Sequence, residues 1–104
     1  MKKILMLTTG GTIASLPSEE GLAPTGADTI LSHMGPSAAN YDITTQEILT
    51  LDSTNIQPEE WKIIAGAIYQ NIRLYDGIVV THGTDTMAYT ASVLSFMLRG
   101  IPIP

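Results

Sequence analysis

Two short apolar runs, each ending abruptly in a polar, glycine-bearing loop, constrain this chain more than anything else in it. Ile4-Leu5-Met6-Leu7 runs into Thr8-Thr9-Gly10-Gly11-Thr12-Ile13-Ala14-Ser15, and Ile78-Val79-Val80 runs into Thr81-His82-Gly83-Thr84-Asp85-Thr86. Apolar runs without polar alternation read as strands of a parallel sheet covered on both faces. The loops that follow parallel strands share one rim, and in open α/β sheets that rim is where ligands bind. Thr12 and Thr84 are therefore expected to meet at one small polar site.

The rest of the chain reads in the order β, loop, α, β, α, β, α, without repeats, low-complexity tracts or an internal linker. Lys3 to Thr8 is the first strand, and Ser15 to Gly26, with its Pro, Gly and Glu residues, reads as a mobile loop. Ala27 to Met34 is a short helix stopped by Gly35-Pro36. Tyr41 to Leu51 is rich in β-branched residues and holds the second strand. Pro58 opens the second helix at its first position, where the missing N–H costs nothing, and Glu59 and Glu60 suit the positive end of the dipole. Trp61, Ile64, Ala65, Ile68 and Ile72 share one face, which makes Trp61 a packing residue. Asp76-Gly77 turns the chain into the third strand. The last helix is expected from Thr84 to Arg99, burying Met87, Ala91, Leu94 and Leu98, with Gly100 ending it. Ile101-Pro102-Ile103-Pro104 then reads as the approach to a fourth strand. A sheet of three strands would leave a parallel edge bare, so residues 1–104 are expected to be the N-terminal part of a longer protein. The fold class is α/β, a three-layer parallel sheet of Rossmann-like or flavodoxin-like type.

Composition removes several functional classes. The 104 residues, 44% hydrophobic, suit one modest core. A formal charge of −5 with only five Lys and Arg, scattered along the chain, argues against a nucleic-acid partner. With no cysteine there is no disulfide framework, thiolate metal site or Cys nucleophile. No His or carboxylate cluster has metal-ligand spacing, and Gly10-Gly11-Thr12 lacks the Gly-x-Gly-x-x-Gly arrangement of a dinucleotide site. The start, Met1-Lys2-Lys3, imitates a secretory signal, but its apolar run is too short, and no stretch has the length of a membrane span. A cytoplasmic location is the default. His82, between a strand and a glycine, reads as a structural hydrogen-bonding residue, and His33 has no assigned role.

The chemistry of the rim follows from residue types. A threonine hydroxyl is a poor nucleophile, needing a neighbour to take its proton and donors to stabilise the oxyanion. Gly10-Gly11 before Thr12 allows close backbone approach to a substrate. Thr84 with Asp85 offers a hydroxyl relay and an anion for a substrate ammonium, and Asp52-Ser53-Thr54 adds a third polar loop. Each also has a plainer reading, as turn chemistry or, for Asp85, as a charge stabilising a helix N-terminus.

Thr9-Gly10-Gly11-Thr12-Ile13-Ala14-Ser15 and His82-Gly83-Thr84-Asp85-Thr86-Met87, in this order, resemble the two signatures of the bacterial type I L-asparaginases. Asp52-Ser53-Thr54-Asn55 and Pro58-Glu59-Glu60-Trp61 also resemble that family, and the similarity spans the whole chain as the N-terminal third of such a protein. The resemblance implies hydrolysis of L-asparagine to L-aspartate and ammonia through a threonine ester, without cofactor or metal. It implies Thr12 as nucleophile and Thr84 in a second relay, with Asp85 and Ser53 holding the substrate's amino and carboxylate groups, helped by Asp52 and Thr54. It further implies a homodimer or homotetramer with a small-molecule substrate. Two departures stand out. Leu22 occupies the place of a loop tyrosine that helps to activate the first threonine in many asparaginases, and the family's relay lysine lies beyond residue 104, so residues 1–104 alone are expected to be inactive. The rival readings are the asparaginase-like subunit of a tRNA-dependent amidotransferase, marked by an added N-terminal domain, and a non-catalytic amino-acid-binding or signalling module. A signalling receiver would need an acidic pair after the first strand, where Thr8-Thr9-Gly10 stands.

Overall fold

The computed structural model describes residues 1–10, 34–50 and 55–104, together with the backbone of 15–18 and 21–24. Its centre is a parallel sheet of three strands, β1 (Lys2–Thr8), β4 (Tyr41–Glu47) and β5 (Gly77–Thr81), in the order β4-β1-β5. Lys2 pairs with Tyr41 and Thr8 with Glu47 on one side of β1, while Ile4 pairs with Gly77 and Thr8 with Thr81 on the other. The α/β class with a parallel sheet is thus as expected. Helices α1 (Pro58–Asn71) and α2 (Met87–Met97) follow β4 and β5 respectively.

Register decides which side chains meet. Leu5 stands beside Ile78 and Leu7 beside Val80, so these four share one face of the sheet. Ile64 and Ile68 of α1 and Leu94 of α2 pack on that face, and Leu5, Leu7 and Ile64 are at most 1% exposed. Full burial of one such aliphatic side chain stabilises the fold by about 1.5–3 kcal/mol. Met6, on the opposite face, is 3% exposed, so β1 is covered on both sides as its unbroken apolar run predicts. The turn into β5 is tied to the start of β1 by two bonds of 2.7 Å: the Asp76 amide donates to the Lys3 carbonyl, and the Lys3 amide to the Asp76 carboxylate.

Four points correct or complete the expectations. Residues 15–26 contain a two-stranded antiparallel ribbon, β2 (Ser15–Ser18) with β3 (Gly21–Pro24), paired from Ser15↔Pro24 to Ser18↔Gly21. Prolines hide such a ribbon from sequence reading, yet an edge position tolerates a residue that cannot donate. Gly35-Pro36 opens a 3-10 helix over Gly35–Asn40, with Pro36 in its first turn, which the sequence reading did not expect; the expected helix Ala27 to Met34 lies, apart from Met34, outside the described residues. The second strand lies within Tyr41 to Leu51 as expected and ends at Glu47, because the Ile48 and Leu49 amides both turn to the Thr8 carbonyl, at 3.0 and 3.3 Å. The last helix spans Met87–Met97, not Thr84–Arg99, and its buried stripe is rotated. Thr90 is buried and Leu94 and Leu98 pack on the core, whereas Met87 is 51% exposed.

Past α2 the chain returns to the sheet. Gly100 has φ of 75°, which a side chain would resist, and the Pro104 carbonyl accepts from the Ile78 amide at 2.9 Å. The segment 101–104 thus begins to run beside β5, as its composition predicts.

Candidate active site

In the order β4-β1-β5 the first connection leaves β1 toward one edge and the next strand enters on the other side, so the topology reverses between β1 and β5. Such a reversal opens a crevice at the carboxyl ends of the two strands. Both signature loops start there. Thr8 and Thr9, each 5% exposed, end β1, while Thr81 and His82, each 8% exposed, end β5.

Hydrogen bonds hold the rim together from the Thr8-Thr9 pair outward. The Thr9 hydroxyl donates to the Thr81 carbonyl at 2.6 Å across 72 residues of sequence. Through its carbonyl, Thr8 also holds the chain leaving β4. The three loops therefore depart from one fixed point. Gly10 follows with φ of 83°, a left-handed conformation that turns the chain out of β1. The Thr81 hydroxyl is buried and has no partner among the described residues.

His82 has the structural role its position predicts, through more partners than expected. Its Nδ1 lies 2.6 Å from the Gly83 carbonyl and its Nε2 lies 2.9 Å from the Thr90 hydroxyl of α2. The indole N–H of Trp61, on α1, donates to the same hydroxyl at 2.8 Å. Trp61 is therefore more than packing. Sequence reading missed Thr9 and Thr90; for Thr90 the signal was a hydroxyl set four residues before Leu94 and eight before Leu98, on the face turned to the core.

Of the predicted site residues, Thr84 and Asp85 are described. Both are exposed, on a bend between β5 and α2. The helix N-cap is Thr86, so Asp85 stands one residue outside the capping position. Thr12, Asp52, Ser53 and Thr54 lie outside the described residues; the ends of β1 and β4, from which their loops depart, are side by side. Among the described residues no group of three or more His, Asp or Glu side chains is placed to hold a metal ion, and no helix is long and apolar enough to cross a membrane.

The family described as "Asparaginase, N-terminal" matches residues 3–104. An L-asparaginase of Thermococcus kodakarensis is 54% identical over 98% of this chain and 32% of its own length. A glutamyl-tRNA(Gln) amidotransferase subunit from Methanosphaera stadtmanae is 42% identical over 99% of this chain and 24% of its own. Among solved structures, the thermostable L-asparaginase from Thermococcus kodakarensis superposes with a TM-score of 0.83 at 53% identity, covering 90% of this chain and 29% of that one. The chain thus spans about a third or less of the length of these relatives.

Proposed function

Because this chain belongs to the asparaginase family, we propose that it supplies the nucleophile-bearing part of an amidohydrolase that converts L-asparagine to L-aspartate and ammonia. The observation that supports this reading is the Thr9–Thr81 bond, which joins the points from which both signature loops start. In the proposed reaction the Thr12 hydroxyl oxygen attacks the side-chain amide carbon and gives up its proton, backbone donors steady the oxyanion, and ammonia leaves. Water then cleaves the threonine ester and releases aspartate. Thr84 stands in a second hydroxyl relay, Asp85 pairs with the substrate ammonium, and Ser53 receives the substrate carboxylate with Asp52 and Thr54 beside it. The proton acceptor for these hydroxyls belongs to chain beyond Pro104, as does the remainder of the domain, and the complete enzyme assembles as a homodimer or homotetramer in the cytoplasm.

Thr12→Ala in the complete enzyme tests the proposal: it should abolish ammonia release from asparagine, and trapping followed by mass spectrometry should place the aspartyl adduct on Thr12. A second reading, a subunit that releases ammonia for a tRNA-dependent amidotransferase, is favoured by the 42% identity to the Methanosphaera protein. Ammonia release that requires a partner enzyme and glutamyl-tRNA would decide for it.

A further inference from the structure

Thr84 and Asp85 are exposed on a bend, so burial of their own side chains does not hold them in place. What brackets them is a chain of side-chain hydrogen bonds beneath the loop. A carbonyl oxygen only accepts, so the 2.6 Å contact between His82 Nδ1 and Gly83 O places a proton on Nδ1. An imidazole with its single proton there presents a lone pair at Nε2. The Thr90 hydroxyl, 2.9 Å away, donates to it. That hydroxyl in turn accepts from the indole N–H of Trp61 at 2.8 Å, since an indole N–H only donates. With the imidazole singly protonated, the direction runs Trp61 to Thr90 to His82 to Gly83.

Two consequences reach the bend. The His82–Thr90 bond joins residues eight apart and closes the loop that carries Thr84 and Asp85, while the Thr90 amide donates to the Thr86 carbonyl at 3.1 Å and fixes the loop's far end. At its near end, the imidazole holds the Gly83 carbonyl, and planarity of the trans peptide then turns the Thr84 N–H to the opposite side. Trp61 ties the whole to α1, so both helices on this face of the sheet contribute to the position of one short segment.

We propose that His82, Thr90 and Trp61 are positioning residues that hold the Thr84–Asp85 segment in register with the Thr8-Thr9 end of β1 for its contacts with substrate. The proposal rests on the reading that Thr84 and Asp85 act on the substrate. It assigns no proton transfer to His82; its imidazole acts through the Gly83 peptide.

The test compares Thr90→Val, which keeps the branched shape and removes the hydroxyl, with Thr90→Ser, which keeps the hydroxyl, in the complete enzyme. Nitrogen NMR of the unsubstituted protein should show the His82 proton on Nδ1 and a Trp61 indole proton that exchanges slowly; in Thr90→Val that indole proton should exchange freely. Thr90→Val should lower kcat/KM for asparagine roughly 10- to 100-fold, with both kcat and KM affected, at a temperature where it is fully folded, and Thr90→Ser should restore it to within about threefold. Trp61→Phe, which removes only the first donor, should shift kcat/KM in the same direction by less, and serves if Thr90→Val does not fold. A Thr90→Val or Trp61→Phe enzyme with lowered melting temperature and unchanged kcat and KM would overturn the proposal, as would a His82 proton on Nε2. Asp85→Asn assayed alongside separates the two levels: if it leaves kcat/KM unchanged, the substrate reading of the loop fails, while the NMR result still reports on the hydrogen-bond series.

Discussion

The Thr9 hydroxyl and the Thr81 carbonyl, 2.6 Å apart and both buried, form the direct side-chain link between the ends of β1 and β5. A buried carbonyl whose donor is removed bears the full cost of its desolvation, about 1–3 kcal/mol. Thr9→Val keeps the branched shape and loses the donor, and is expected to lower stability by that amount in urea titration. Thr9→Ser should recover most of it. If the two variants unfold at the same urea concentration, the bond has no net value and the crevice is held by the strand pairing alone.

Thr12 carries the sharpest expectation, because it alone among the rim hydroxyls follows the glycine pair after β1. Thr12→Ala should reduce asparagine hydrolysis by roughly a thousandfold or more, since groups acting as a unit lose most of their effect when one is removed. Its urea midpoint should not move. An aspartyl adduct trapped on Thr84 instead would exchange the roles of the two threonines.

Asp85 stands one residue outside the helix N-cap, near enough for either a substrate contact or stabilisation of the dipole. If its carboxylate pairs with the substrate ammonium, Asp85→Asn should weaken aspartate binding by about 1.5–3 kcal/mol, readable by calorimetry. Unchanged affinity together with a lowered melting temperature would return Asp85 to the role of a helix-terminal charge.

Gly10 has φ of 83°, where an added Cβ crowds the following carbonyl. Gly10→Ala should cost about 1–2 kcal/mol of stability. It should also lower kcat, because relief of that strain displaces the chain that leads to Thr12. A variant with native stability and native kcat would mean that the loop adapts without cost.

Much of this architecture was legible in the sequence, and the reasons differ by element. β1 announces itself because both its faces are covered, so no polar residue interrupts the run; β5 has the same unbroken apolar run, but only its Ile78–Val80 face meets the core and Val79, on the other face, is 47% exposed, so the expectation of two covered faces is corrected there. α1 is legible from Pro58 through its buried Ile64, Ala65 and Ile68. The β2–β3 ribbon was hidden because its pairing depends on the opposing strand rather than on residue types that favour strands. In α2, hydrophobicity nominated Met87 and Ala91 for the interior, but the helix is rotated so that Thr90 lies inside, where His82 and Trp61 satisfy its hydroxyl. A residue buried for its hydrogen bonds leaves no hydrophobic signal. For the proposed site, the sequence nominates Thr84 and Asp85 by type and place, and the structure shows both exposed on a bend after β5, while the series beneath them required three elements to be assembled first.

The central place of β1 has a consequence for how the chain is made. It is synthesised before both of its partner strands, which begin at Tyr41 and Gly77. At a synthesis rate of roughly 5–20 residues per second, Gly77 follows Ile4 by roughly 4–15 s. Throughout that interval Leu5, Met6 and Leu7 lack at least one flanking strand, and folding that depends on such distant pairings is intrinsically slow. A stretch buried in the folded sheet is thus left without a partner strand in the nascent chain, where it is a ready binding segment for a chaperone.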